Sequence, residues 1–168
     1  MQRRVWLKLG VASAAVLAVA GGTLALWPGP ATGSRLSPAA RPVMQAVGAA
    51  VLEGSLPAEG AARTAALAGL LARLDDLVAG LPPHAQRELA QLLQLLGTAP
   101  GRRWLAGVDA PWPEASITQV QAGLQGMRTS RLTLRRQAYQ ALHDLVAGAY
   151  FADPATWAQL GYPGPRSL

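Results

Sequence analysis

Few side chains in this sequence could do chemistry. A nucleophilic triad needs a base beside a Ser or Thr and a third group to orient that base. Only His84 and His143 could serve as the base. His143 is followed by Asp144, but successive positions on a helix point about 100° apart, so the two are not expected to face each other. The plainer role for each histidine is a hydrogen bond at a surface or interface. Metal binding has no better footing, since there is no His-x-x-x-His pair, no Glu-x-x-His and no dense carboxylate loop. Asp75-Asp76 read as solvated ion-pair partners for Arg73 or for another helix. Cysteine is absent, which excludes disulfides, thiolate metal sites, Cys nucleophiles and c-type haem attachment. No strand-like alternation precedes a Gly-rich phosphate loop. The sequence therefore predicts no catalytic, cofactor-binding or metal-binding residue of its own.

The formal charge of +6 does not point to nucleic acid. Arg3, Arg4 and Lys8 crowd the N-terminus, and without residues 1–20 the chain holds 12 basic and 9 acidic side chains, a net of +3. Outside Arg102-Arg103 and the group Arg128, Arg131, Arg135 and Arg136, the arginines are scattered among acids. No aromatic residues alternate with them as stacking platforms. The group at 128–136 could meet a partner's acids, although such a run is usually a solvated helix face.

What must position any site is helical. Of 168 residues 51% are apolar, mostly Ala and Leu, which lose little freedom in a helix and leave room for one core. Ser37-Pro38 marks the start of a helix that runs to about Glu53, with Val43, Met44, Val47, Ala50 and Val51 at helical spacing. Leu67, Leu70, Leu71, Leu74, Leu77, Val78 and Leu81 follow steps of three and four along a second helix. Pro82-Pro83 opens a third, with Leu89, Leu92, Leu93 and Leu96 on one face and Gly97–Gly101 closing it. These two are expected to form an antiparallel hairpin. Arg102-Arg103-Trp104 reads as a short helical turn. Ser116 to Gln119 matches a capping box that starts a helix to about Met127. A longer helix follows from about Ser130 to Tyr150, and Asp153-Pro154 caps a short final one ending near Leu160. The expected fold is an all-α small helical bundle with an N-terminal signal or anchor helix and an extended Pro/Gly-rich C-terminal tail.

The N-terminus is an address. Arg3-Arg4-Val5-Trp6-Leu7-Lys8 resembles the twin-arginine export motif, with Trp6 where Phe is usual and Gln2 where Ser or Thr is usual. An uncharged, largely apolar stretch from Leu9 to Trp27 follows. Ala18-Val19-Ala20 suits a cleavage site, whereas the length of the stretch also suits a retained membrane anchor. Either way the rest of the chain is placed outside the cytoplasm, because positive charge stays inside. The layout is thus signal or anchor at 1–27, linker at 28–36 and helical domain at 37–168. Trp104, Trp112, Tyr150, Phe151, Trp157 and Tyr162 gather at loops and at the C-terminal end. There they could anchor a partner or cap the ends of a small core.

Residues 139–165 resemble the C-terminal signature of the gluconate 2-dehydrogenase subunit 3 family. The matching elements are Ala149-Tyr150-Phe151, then Asp153-Pro154-x-x-Trp157, then Leu160-Gly161-Tyr162-Pro163-Gly164-Pro165. A twin-arginine signal is also typical of that family. The resemblance implies a small, non-catalytic subunit that binds no flavin or haem. It would wrap on a large flavoprotein dehydrogenase that carries FAD and take it across the membrane through the twin-arginine translocase. A membrane cytochrome c subunit often receives the electrons. The resemblance also implies that Tyr150, Phe151, Asp153, Pro154, Trp157, Gly161, Tyr162, Pro163 and Gly164 define the interface or its architecture. The expected place is the periplasm, with or without an inner-membrane anchor. The competing expectation is a stand-alone exported or membrane-anchored helical binding or envelope protein.

Overall fold

Ser37 and Pro38 set the start of the first helix. In the computed structural model, which describes residues 35–162, the Ser37 hydroxyl accepts from Ala40 N at 3.2 Å. Its carbonyl accepts from the backbone amides of Ala40 and Arg41. That is the capping expected of Ser followed by Pro. The regular part of this helix, α1, runs Ala40–Val51. After it come α2 (Ala61–Ala79), α3 (Pro83–Gly97) and α4 (Ala99–Gly101), which passes directly into a π-helical turn at Arg102–Ala106. Then follow α5 (Ile117–Arg128), α6 (Thr133–Phe151) and a 3₁₀ segment at Pro154–Leu160. No strand occurs among the described residues, so they form an all-α structure. None of their helices is long and apolar enough to cross a membrane. The proposed export residues Arg3, Arg4, Trp6, Leu7 and Lys8, the linker up to residue 34, and Pro163 and Gly164 lie outside the described residues.

α1 is the hub. It touches α2, α3, α5 and α6, and Gln45 is its one exposed residue. Val43, Met44 and Val47 are completely buried, and each such side chain stabilises the fold by roughly 1.5–3 kcal/mol. Gly48 lets α2 come close, since a Cβ there would sit 2.6 Å from Leu70 Cδ2. Leu36, expected in the linker, belongs to this core at 7% exposure, and its amide donates to Asp75 Oδ1 at 2.8 Å. The apolar side chain and the waiting carboxylate together draw the chain into the bundle before the helix begins.

The leucine spacing correctly marks the inner faces of α2 and α3, where Leu67, Leu70, Leu74 and Val78, then Leu89, Leu92, Leu93 and Leu96, are buried. The expected antiparallel hairpin does not form. α2 and α3 barely meet: α2 packs on α1 and α6, and α3 on α1 and the π-turn. Pro82 is extended (φ −57°, ψ 148°) and leads α3 into its own direction. Periodicity names the apolar face of a helix but not what covers it.

Nor do residues 97–101 simply end α3. The Thr98 hydroxyl accepts from Gly101 N at 3.1 Å and starts the helical path again. Gly101 is required there, because a Cβ would lie 2.0 Å from Leu95 O. The π-turn ends at Gly107, whose φ of 72° suits glycine. The capping box before α5 is present, with Ser116 Oγ accepting from Gln119 N at 3.2 Å and Gln119 Oε1 accepting from Ser116 N at 2.9 Å.

Candidate functional site

A helix leaves its last carbonyls without intrahelical donors. At the end of α6 side chains supply several of those donors. Arg73 Nε, from α2, donates to Ala149 O at 2.9 Å. Thr156 Oγ1 shares its one proton between Asp153 O at 2.8 Å and Tyr150 O at 3.2 Å, and Trp157 Nε1 donates to Phe151 O at 2.8 Å. For Thr156 and Trp157 to reach back, the chain must fold over the helix end. Asp153 organises that fold: Oδ1 accepts from Ala155 N at 3.0 Å, and Oδ2 pairs with Arg73 Nη1 at 3.0 Å. Pro154 opens the 3₁₀ segment with its fixed φ. Gly161, at φ 66°, then turns the chain so that Tyr162 N donates to Trp157 O at 3.1 Å.

The six aromatic residues expected at a partner interface separate into three groups. Tyr150 and Trp112 are core residues, 4% and 5% exposed, and not exposed anchors. Both can be buried because their polar ends find backbone carbonyls. Tyr150 Oη donates to Ser55 O at 2.8 Å, and Trp112 Nε1 to Leu96 O at 2.7 Å. Phe151 and Trp157 are half-buried and Tyr162 is exposed. They form a ledge at the end of α6, with Phe151 edge-on to Tyr150 at 5.2 Å and Trp157 edge-on to Tyr162 at 5.3 Å. Trp104, 59% exposed, stands apart on the π-turn.

The titratable residues do not assemble a reaction centre among the described residues. His143 Nδ1 comes within 3.3 Å of Asp144 Oδ1, closer than helical geometry led us to expect. The contact is long and exposed, and Gln140 Nε2 donates to the same oxygen at 2.8 Å. The imidazole itself stacks on Tyr139. His84 is exposed. Asp75 pairs with Arg41 of α1, while Arg73 turns instead to Asp153. No group of three or more metal-ligating side chains occurs among the described residues. A shallow groove of about 280 Å³ runs beside α1 between Pro42, Leu67, Trp112 and Ile117, and no titratable side chain lines it.

No protein-family model, curated protein or solved structure matches the chain significantly. What distinguishes the site is the geometry of its own residues.

That geometry gives the arginines work that their scatter along the sequence hides. Arg102 is buried, with Nε donating to Val108 O at 3.2 Å and Nη2 to Asp109 O at 3.1 Å. Arg135 Nε, from α6, donates to Leu105 O at 2.9 Å. With Arg73 these make three guanidinium groups that serve carbonyls at or just beyond helix ends, where the helix dipole also favours a cation. The nearest sequence signal was Gly107, which marks the end of the turn but does not say which arginine would reach it.

Proposed function

We propose that this chain is a non-catalytic accessory subunit that binds, stabilises and co-exports a flavin-dependent dehydrogenase through the twin-arginine pathway. The observation that supports this most directly is the ledge formed by Phe151, Trp157 and Tyr162. Its backbone is pinned by Asp153, Thr156 and Arg73, and its rings remain accessible. The described residues that carry the family resemblance, from Ala149 to Tyr162, act together in one cap. A surface fixed in advance loses little conformational entropy when a partner covers it, and aromatic rings are the usual anchors of such contacts. On this reading FAD belongs to the partner and a membrane cytochrome c subunit takes the electrons. The complex works in the periplasm, free or held to the inner membrane by the N-terminal segment.

One observation favours the other reading, a stand-alone exported or anchored helical protein. The core from Leu36 to Tyr150 closes within this one chain. The two are separated by a pull-down from the periplasm and membrane fraction with a C-terminal tag. A flavin-containing partner of dehydrogenase size, lost when Trp157→Ala is combined with Tyr162→Ala, is the expected result. A folded monomer with nothing bound would overturn the accessory role.

A further inference from the structure

Between Glu114 and Asp144 the sequence holds no acidic residue and four arginines, Arg128, Arg131, Arg135 and Arg136. The fold brings the start of α6 to the π-turn through the Arg135–Leu105 bond. Arg135 and Arg102 are used internally, but Arg103, Arg128, Arg131 and Arg136 are exposed. Among the described residues Arg128 bonds only the neutral Gln125 side chain, and Arg136 the carbonyls of Ser130 and Arg131 and the Thr133 hydroxyl. Arg103 has Asp109 at 3.7 Å, with both side chains largely in solvent. Among the described residues, two of the three exposed large hydrophobic residues, Trp104 and Leu132, lie on the π-turn and at the start of α6, the two elements that the Arg135–Leu105 bond joins at one corner, each next in sequence to an exposed arginine.

We infer that this corner docks on an anionic phospholipid surface. Guanidinium groups match phosphate oxygens with paired hydrogen bonds, and they also attract the surface through its charge. Trp and Leu beside them reach the boundary between headgroups and acyl chains. A stable protein interface closes over a dry apolar centre built from several side chains. Two apolar side chains amid four exposed guanidinium groups offer no such centre, but they do suit a bilayer, which needs only shallow insertion. The inference does not depend on the dehydrogenase reading, because the corner is separate from the ledge at the end of α6.

The absence of cysteine makes the test direct. The full chain carrying Leu132→Cys, labelled with an environment-sensitive fluorophore, is mixed with vesicles whose acyl chains are brominated. The vesicles contain phosphatidylcholine alone or mixed with phosphatidylglycerol. Ala72→Cys, exposed on α2, is the control position. The probe at 132 is expected to shift blue and to be quenched only on the anionic vesicles, while the probe at 72 is unaffected. The ratio of docked to undocked corner should fall about fivefold for each arginine removed by Arg103→Gln or Arg128→Gln. High salt should weaken it further. Equal response at 132 and 72, or no response to phosphatidylglycerol, would overturn the assignment. So would protection of 132 only by an acidic protein or by nucleic acid.

Discussion

α1 and the chain beyond Phe151 are held in place by opposite means. α1 is 12 residues long, lies against four other helices, and is fixed by the volume of Val43, Met44 and Val47. The segment from Ala152 to Tyr162 covers less, yet side-chain hydrogen bonds from Asp153, Thr156 and Trp157 secure its path. Packing tolerates another apolar side chain of the same volume but not a change of volume. A hydrogen-bonded cap tolerates a change of volume but not the loss of a donor or acceptor. The hub therefore stabilises the whole domain, and the cap decides how one surface is presented.

The strongest way to break this contrast is at the hub. Met44→Ala should cost about 2–5 kcal/mol in urea unfolding, because four helices cannot all collapse on the lost volume. Met44→Leu, which keeps the volume, should cost less than about 1.5 kcal/mol. Next in size is the link between the two regions. Arg73→Met removes the donor to Ala149 O and the partner of Asp153, and about 1–3 kcal/mol should be lost. Arg73→Lys should recover only part of it, since one ammonium replaces a two-pronged contact. Trp157→Phe keeps a ring but deletes the bond to Phe151 O. The expected loss of about 0.5–1.5 kcal/mol should show as faster hydrogen exchange at the Tyr162 amide, with the core amides unchanged. The smallest effect marks the baseline. Arg103→Ala loosens only an exposed pair at 3.7 Å, and thermal unfolding should place it within about 0.5 kcal/mol of the parent.

The two regions also differed in how far they could be read from sequence. The buried faces of α2 and α3, the Ser116–Gln119 box and the Asp153-Pro154 start were legible because spacing and capping are local properties. The inner face of α1 was legible too, since Val43, Met44, Val47 and Ala50 follow helical spacing and are buried; its place as the hub was not, because that depends on helices distant in sequence. The hairpin expectation failed for the same reason. At the C-terminal end the motif was visible, but residue type could not tell Tyr150, which turns inward to Ser55 O, from Tyr162, which turns outward. The π-turn was the least legible element, since it depends on Gly101 fitting against Leu95 O.

The different settings of Trp104 and Trp112 also have an optical consequence. Trp112 is 5% exposed, whereas Trp104 is 59% exposed and follows Arg103. Iodide, an anion, will be concentrated near the second indole and kept from the first. Caesium will be repelled by the same charge. With Trp6, Trp27 and Trp157 replaced by Phe, comparing the two quenchers isolates the emission of Trp104 from that of the buried Trp112 and gauges the potential at that corner.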